Sequence, residues 1–304
     1  MAHSAGAIPT LLVTGCTGQV GFELQGTLAT VGRVVALDHA GCDLTRPDQV
    51  RAVLRALRPD VIVNAAGYTN VDRAEAEAEL AFAVNGAAVG VLAEESLALG
   101  SLLVHYSTDY VFDGRKPQSY LETDPTAPLS VYGKSKLAGE SAIATVGARA
   151  LVLRTGWVAG LHGANFAKAI LALGRARDGL DVIADRFGTP TTAELVATVT
   201  AELVERYWQL EDRHAFPYGL YHLAAAGDAS WHAYAVEVLT YAQAHGVALR
   251  TLPEHVRAIS AAEYPQAASR PTNSRLDTGK LQRVFGVDLP DWRLGIRRLL
   301  DQIF

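Results

Sequence analysis

The sequence predicts an α/β fold built on a doubly wound parallel sheet, with a smaller α/β region toward the C-terminus, and three observations carry that prediction. Short apolar runs alternate with helix-patterned stretches from Pro9 to Thr155, as expected of strands buried on both faces and joined by crossover helices. A glycine-rich turn, Gly15-Cys16-Thr17-Gly18-Gln19-Val20-Gly21, stands between the first run and the first helix. An acid, Asp38, ends the second run. Strand, glycine turn, helix and acid in that order make a Rossmann-type arrangement, in which a helix N-terminus faces an anion and a carboxylate faces a ribose.

Pro9 to Thr14 reads as the first strand and Phe22 to Ala29 as the first helix. Between them Gly15, Thr17, Gly18, Gln19, Val20 and Gly21 form the candidate cradle for a pyrophosphate, with glycines letting the backbone approach closely. The spacing is Gly-x-x-Gly-x-x-Gly, a variant of Gly-x-Gly-x-x-Gly, and a turn that binds nothing is the alternative. Arg33 to Leu37 reads as the second strand. Asp38 follows about 20 residues past the first glycine, where a carboxylate accepts hydrogen bonds from an adenosine ribose. That position favours NADH; a plain loop acid is the alternative. Asp43 and Leu44 are candidate neighbours of the adenine. Pro47 to Leu57 suits a helix, and Val61 to Gly67 a third strand whose last residues, Ala65, Ala66 and Gly67, leave room for an extended ligand.

Ala74 to Leu99 reads as one long helix, with Glu75, Glu77 and Glu79 on a solvated face. Leu102 to Tyr106 is a fourth strand, and Ser107-Thr108-Asp109 falls where that strand leaves the sheet, the end that faces the ligand crevice in such folds. Tyr110 to Pro128 reads as a loop able to close over a substrate. Tyr132 and Lys136 follow at i and i+4 of a helix, hence on one face. An ammonium beside a phenol favours the phenolate and so suits proton transfer. Taken alone, the pair also fits a half-buried Tyr and a solvated Lys. Ala150 to Thr155 gives a fifth strand. Helices are expected near Asn165 to Arg177, Ala193 to Trp208, Trp231 to His245 and Leu289 to Phe304, with a strand at Gly219 to Leu223. Residues 251 to 275 read as a long irregular binding segment. The dinucleotide-binding unit is placed at 1–156 with about 188–214, and the sugar-nucleotide region at 157–187 and 215–304.

The chain has 304 residues, 49% of them apolar and 19% charged. A formal charge of −5 argues against a nucleic-acid groove. The first eight residues lack a signal-peptide pattern and read as a loose extension, and no apolar run in the sequence reads as a membrane span. Cys16 and Cys42 have no metal spacing and read as ordinary buried thiols of a reducing compartment, so a cytoplasmic location is expected.

The glycine turn, Ser107-Thr108-Asp109 and Tyr132-x-x-x-Lys136, in that order, resemble the extended short-chain dehydrogenase/reductase family. Further stretches narrow the resemblance to its reductases of nucleotide sugars: Asn64 to Asp72, His105 to Phe112, Val131 to Glu140 and Arg270 to Leu276. The likeness runs from about Leu11 to the C-terminus. It implies NADPH- or NADH-dependent reduction of the 4-keto group of dTDP-4-dehydro-6-deoxy-L-mannose, the last step of dTDP-L-rhamnose synthesis. It also implies that Tyr132 donates the proton, and that Lys136 binds the nicotinamide ribose and lowers the Tyr pKa. Thr108 would lie by the phenol and sugar, and Asp109 on the substrate side. Trp157 and Asn165 match positions facing the sugar nucleotide, and Arg270 and Arg275 are candidates for its diphosphate.

The chain departs from the pattern at two points. Arg186 stands where related sequences often have Gln, and Gly156 where they have Ser. Some members bind Mg²⁺ at a homodimer interface through three glutamates; Glu23 and Glu194 match two, and Gln302 takes the third position, where an amide is the weaker ligand. Two further readings remain open: a non-catalytic regulatory subunit like that of methionine adenosyltransferase, and a nucleotide-sugar epimerase or dehydratase that retains its cofactor.

Overall fold

Strands with apolar residues on both faces are satisfied only inside a sheet covered on both sides, and the first half of the chain is arranged that way. The computed structural model describes residues 8–304, so the expected N-terminal extension lies outside them except for Ile8. The first half runs β1 (Thr10–Thr14), α1 (Gln19–Leu28), β2 (Arg33–Leu37), α2 (Pro47–Leu57), β3 (Val61–Asn64), α3 (Val71–Ala76), α4 (Ala78–Leu99), β4 (Leu102–Thr108), α5 (Val131–Val146) and β5 (Ala150–Thr155). There follow β6 (Val158–Ala159), α6 (Phe166–Ala176), β7 (Leu180–Ile183), β8 (Phe187–Gly188), β9 (Thr191–Thr192) and α7 (Ala193–Gln209). The chain ends with β10 (Gly219–His222), β11 (Ala229–Ser230), α8 (Trp231–Ala244), β12 (Val256–Ile259), α9 (Gly279–Phe285) and α10 (Trp292–Asp301).

Six parallel strands form the main sheet in the order β2-β1-β3-β4-β5-β10. Strand order reverses beside β1, which opens a crevice at the carboxyl ends of β1 and β3. Successive residues of β1 feed opposite cores. Leu11 and Val13 pack with Leu24 and Leu28 of α1 and Val196 and Leu203 of α7, whereas Leu12 packs with Val50, Leu54 and Leu92 from α2 and α4. Just below the crevice, Thr14 donates to Asn64 Oδ1 at 2.8 Å, and the Asn64 amide meets His105 Nδ1 at 3.0 Å. One polar chain thus ties the ends of three strands. The smaller lobe has its own core, in which Ile170 and Leu171 of α6, Tyr234, Val238 and Leu239 of α8 and Trp292 and Ile296 of α10 pack together.

The long helix expected over Ala74 to Leu99 is interrupted. Asn70 caps α3 by accepting from Arg73 N at 3.0 Å, and the helix breaks at Glu77, whose carboxylate accepts from Tyr68 Oη at 2.7 Å and Arg73 Nε at 2.6 Å. Glu77 is therefore bonded inward, and Glu75 accepts from Val131 N at 2.9 Å, so the glutamate series is not merely a solvated face. Within α4, residues Ala83–Ala87 form a π turn. It turns Asn85 inward, where the side chain exchanges bonds with the Tyr68 backbone at 2.8 and 2.9 Å and donates to Ser135 Oγ at 3.0 Å. The loop after β3 is thereby fastened to α5. By length and composition α4 could cross a bilayer. Val89, Leu92 and Ala93 are instead buried against the sheet, and Glu95 is held by Arg51 and Arg55, as in a core helix.

Two other expectations change. Gly219–His222, assigned to the sugar-nucleotide region, pairs with β5 and completes the main sheet, and Leu281 and Phe285 of α9 join the same core. Residues 251 to 275 are not wholly irregular, because β12 pairs in parallel with β7 from Val256↔Leu180 to Ile259↔Ile183.

Beneath the carboxyl end of β4 lies a buried ion pair. Arg154 of β5 donates to Glu140 of α5 at 2.9 and 2.7 Å, and Ser107 Oγ donates to the same carboxylate at 2.5 Å. The two side chains are 3% and 10% exposed. Removing one partner strands a buried charge, whereas an exposed pair contributes little. Arg154→Leu should therefore cost about 3–5 kcal/mol in urea denaturation. Arg257→Leu, which breaks the exposed Arg257–Asp181 pair, should cost less than about 1 kcal/mol.

Candidate active site

The glycine turn is shaped by two residues. Gly15 sits at φ 72°, and a Cβ there would lie 2.6 Å from Ala66 Cα, so only glycine serves. Gly21 is packed so tightly on the Gly15 carbonyl that it too has no room for a side chain. The first turn of α1 carries no side-chain cap, which leaves backbone N–H groups to meet an anion. A groove of about 340 Å³ runs from this turn across the sheet ends. Gly15, Thr17 and Gly18 line one side, Ala65, Ala66 and Gly67 the other, and Asp38, Asp43 and Leu44 the far end.

Nine of the expected cofactor residues outside the Tyr132–Lys136 pair thus share one groove, and three do not line it. Gln19 turns toward the smaller lobe, where its Oε1 accepts from Gly160 N at 2.8 Å and Asn165 Nδ2 at 3.1 Å. Val20 packs against the sheet core, and Gly21 is buried in α1. His39, Cys42, Thr45 and Tyr68 also line the groove; their spacing in the sequence carries no signal for it. Burial raises the Cys42 thiol pKa, and nearby Asp43 adds to the effect.

Tyr132 occupies the first turn of α5 because that helix is capped twice. Ser130 Oγ accepts from Gly133 N at 3.1 Å, and Glu75 accepts from Val131 N. The Tyr132 hydroxyl lies beside Thr108 at the end of β4. Thr108 Oγ1 also accepts from Tyr110 N at 3.1 Å and donates to Asp109 Oδ1 at 3.0 Å. Lys136, one turn on and 5% exposed, donates from Nζ to the Tyr106 carbonyl and lies close above Gly67. Here the structure differs from the expectation that the ammonium depresses the phenol. Burial pushes Tyr132 up to about 12, with Thr108 pulling the other way. Burial also brings Lys136 down to about 8, partly offset by Glu140. The ammonium is engaged by a backbone carbonyl, so the phenol stays protonated at neutral pH, the state a proton donor needs.

On the substrate side, Asp109 is 3% exposed and pushed up to about 7 by burial, with hydrogen bonds from Ser274 and Thr108 opposing the shift. Tyr110 stands edge-on to Tyr132 at 6.1 Å between ring centroids. Trp157 has φ 49°, a strained value for a bulky residue, and stacks on Trp231 at 3.5 Å. Asn165 caps α6 by accepting from Lys168 N at 3.1 Å, and its amide donates to Gly160 O at 2.8 Å as well as to Gln19. Its polar atoms are thus already used. Arg270 grips Asp72 with two bonds of 3.0 and 2.6 Å. Arg275 donates to Asn273 Oδ1 at 2.8 Å and the Pro117 carbonyl at 2.5 Å, with Asp228 at 3.5 Å. Both arginines are anchored in the chain, although Arg270 Nε makes no hydrogen bond among the described residues. Tyr110 and Ser274 enter the site without having been singled out in the sequence, and Arg186, noted there only as a departure from the family pattern, lies beside them.

Glu23 and Glu194 do face one another across α1 and α7. Burial and then the Glu194 charge raise the Glu23 pKa, while His162 lowers it. Among the described residues no group of three His, Cys, Asp or Glu side chains could hold a metal ion.

Comparison with known proteins places the chain in a family. The model of the RmlD substrate binding domain family matches residues 9–304. A dTDP-4-dehydrorhamnose reductase of Salmonella typhimurium is 47% identical over 298 residues, covering 97% of this chain and 98% of the relative. One from Escherichia coli is 44% identical over 299 residues, with the same coverage. The crystal structure of dTDP-4-dehydrorhamnose reductase from Bacillus anthracis in complex with NADP superposes with a TM-score of 0.88 at 32% identity, covering 97% of this chain and all of that one. From the glycine turn to the last helix, the chain belongs to the RmlD family, that of the dTDP-4-dehydrorhamnose reductases.

Proposed function

We propose that this protein reduces the 4-keto group of dTDP-4-dehydro-6-deoxy-L-mannose to give dTDP-L-rhamnose, using NADPH or NADH. The observation that carries the reading is a phenol, Tyr132, beside Thr108 and one turn from Lys136, whose Nζ lies against Gly67 of a dinucleotide-sized groove. When bound, a nicotinamide dinucleotide supplies the hydride. Gly15, Thr17 and Gly18 would hold its pyrophosphate, Asp38 and Asp43 its adenosine end, and Lys136 the nicotinamide ribose above Gly67. The exposed Asp38 accepts from Gly41 N at 2.9 Å and can still accept from a ribose hydroxyl; it does not by itself separate the two dinucleotides.

Tyr132 gives its proton to O4 as negative charge develops there, which avoids a free alkoxide. Thr108 aligns the phenol and remains within reach of the sugar. On this reading the described residues up to 156, with 188–214, would serve the dinucleotide, and 157–187 with the later chain the sugar nucleotide, except for β10 and α9, which join the main sheet and its core. The homodimer and bridging Mg²⁺ implied by resemblance rest only on the Glu23–Glu194 pair, and no step of the reaction uses them.

Mixing the protein with the keto sugar and following NAD(P)H absorbance tests the reading. Stoichiometric consumption is expected; a regulatory subunit would give none, and an epimerase or dehydratase would recycle its cofactor. Tyr132→Phe should lower turnover by about a hundred- to ten-thousandfold, with dinucleotide affinity by fluorescence titration unchanged. The Lys136 charge is present below about pH 8 and lost above it. Activity should therefore decline as pH rises through about 8, and Lys136→Arg should move that limb to higher pH if it retains turnover.

A further inference from the structure

Two guanidinium groups converge on Tyr110, and only one of them has a carboxylate to answer it. Arg270 lies beside Tyr110 and is held by both oxygens of Asp72. Arg186, just before β8, makes one hydrogen bond among the described residues, from Nη1 to the neutral amide oxygen of Gln266 at 2.5 Å. Its neighbour Asp185 accepts from Ala261 N at 2.9 Å and makes no ion pair with it among the described residues. Burial and the like charge of Arg270 lower the Arg186 pKa, against the opposing influence of Tyr110 and Asp185.

The position of Arg186 is fixed rather than incidental. Phe187 N donates to the Thr272 carbonyl and Ser274 N donates to the Phe187 carbonyl, both at 2.8 Å, so Arg186 is held beside the segment that carries Arg270. Tyr110, next to both arginines, is edge-on to the proton donor Tyr132 at 6.1 Å. In a nucleotide sugar the diphosphate is attached at C1, across the ring from C4. With C4 at Tyr132, the diphosphate must find its positive charge about one sugar ring away. Arg186 lies near Tyr110, which adjoins Tyr132, and among the described residues its Nε and Nη2 make no hydrogen bond, a planar fork suited to phosphate oxygens.

We propose that Arg186 binds the diphosphate of the nucleotide-sugar substrate. This rests on the reading of the site as a nucleotide-sugar reductase, and the ligand class is a nucleoside diphosphate. Arg270 acts with it by keeping Asp72 occupied and adding positive field, not by leaving its partner.

The test is calorimetric titration of the NADP⁺-loaded protein with dTDP and, separately, with thymidine, for the wild type, Arg186→Gln and Arg186→Lys. Loss of a charge-assisted pair should weaken dTDP by about tenfold or more, leave thymidine unchanged, and raise KM for the keto sugar by the same factor with kcat less affected. Arg186→Lys should fall between the two. Equal dTDP affinity in wild type and Arg186→Gln overturns the assignment, as does an equal loss for thymidine, which would mark a structural defect. A wild type that binds no dTDP overturns both this and the proposed reaction. If the wild type binds dTDP but does not reduce the keto sugar, the reaction fails, and the dTDP arm alone decides Arg186.

Discussion

The juxtaposition of Thr108, the last residue of a parallel strand, and Tyr132, in the first turn of a helix, is the constraint on which the rest of the site depends. It joins two elements whose positions are set independently, one by sheet register and the other by caps. Thr108 is located by pairing with Thr155 in the register of β4 and β5, and Tyr132 by the acceptors Ser130 and Glu75 at the start of α5. Because both ends are fixed by backbone hydrogen bonds, the phenol needs no further adjustment to meet a carbonyl. The cost of placing a hydroxyl in a half-buried crevice is met by giving it a partner.

The same logic accounts for the polar groups stacked beneath the crevice. Asn64, Asn85, Glu140 and Arg154 are all buried or nearly so, and each is bonded across elements rather than within one. Thr14, Asn64 and His105 tie three strand ends, Asn85 ties the loop after β3 to α5, and the Arg154–Glu140 pair ties β5 to α5. An apolar core would leave these elements free to settle in several packings. Directed bonds leave one.

What the sequence could disclose follows from which interactions are local. The glycine turn, Asp38, the small residues after β3 and the Tyr132–Lys136 spacing are short-range patterns, and the structure gathers them along one groove and its rim. The break at Glu77, the π turn around Asn85 and the pairing of β12 with β7 were hidden, since each depends on a partner far along the chain. The roles of single arginines were hidden for the same reason. Arg270 and Arg186 look alike in sequence, and only the location of Asp72 separates a neutralised group from an open one. The sign of the Tyr132 shift was missed because spacing records proximity to Lys136 and not the degree of burial.

The link from Gln19 to Gly160 and Asn165 has a mechanical implication. Gln19 begins the helix behind the glycine turn, and its amide oxygen is shared by two donors of the smaller lobe. The positions of that helix and of the segment that leads into α6 are thereby set together, so a substitution at Gln19 would disturb both sides of the crevice at once.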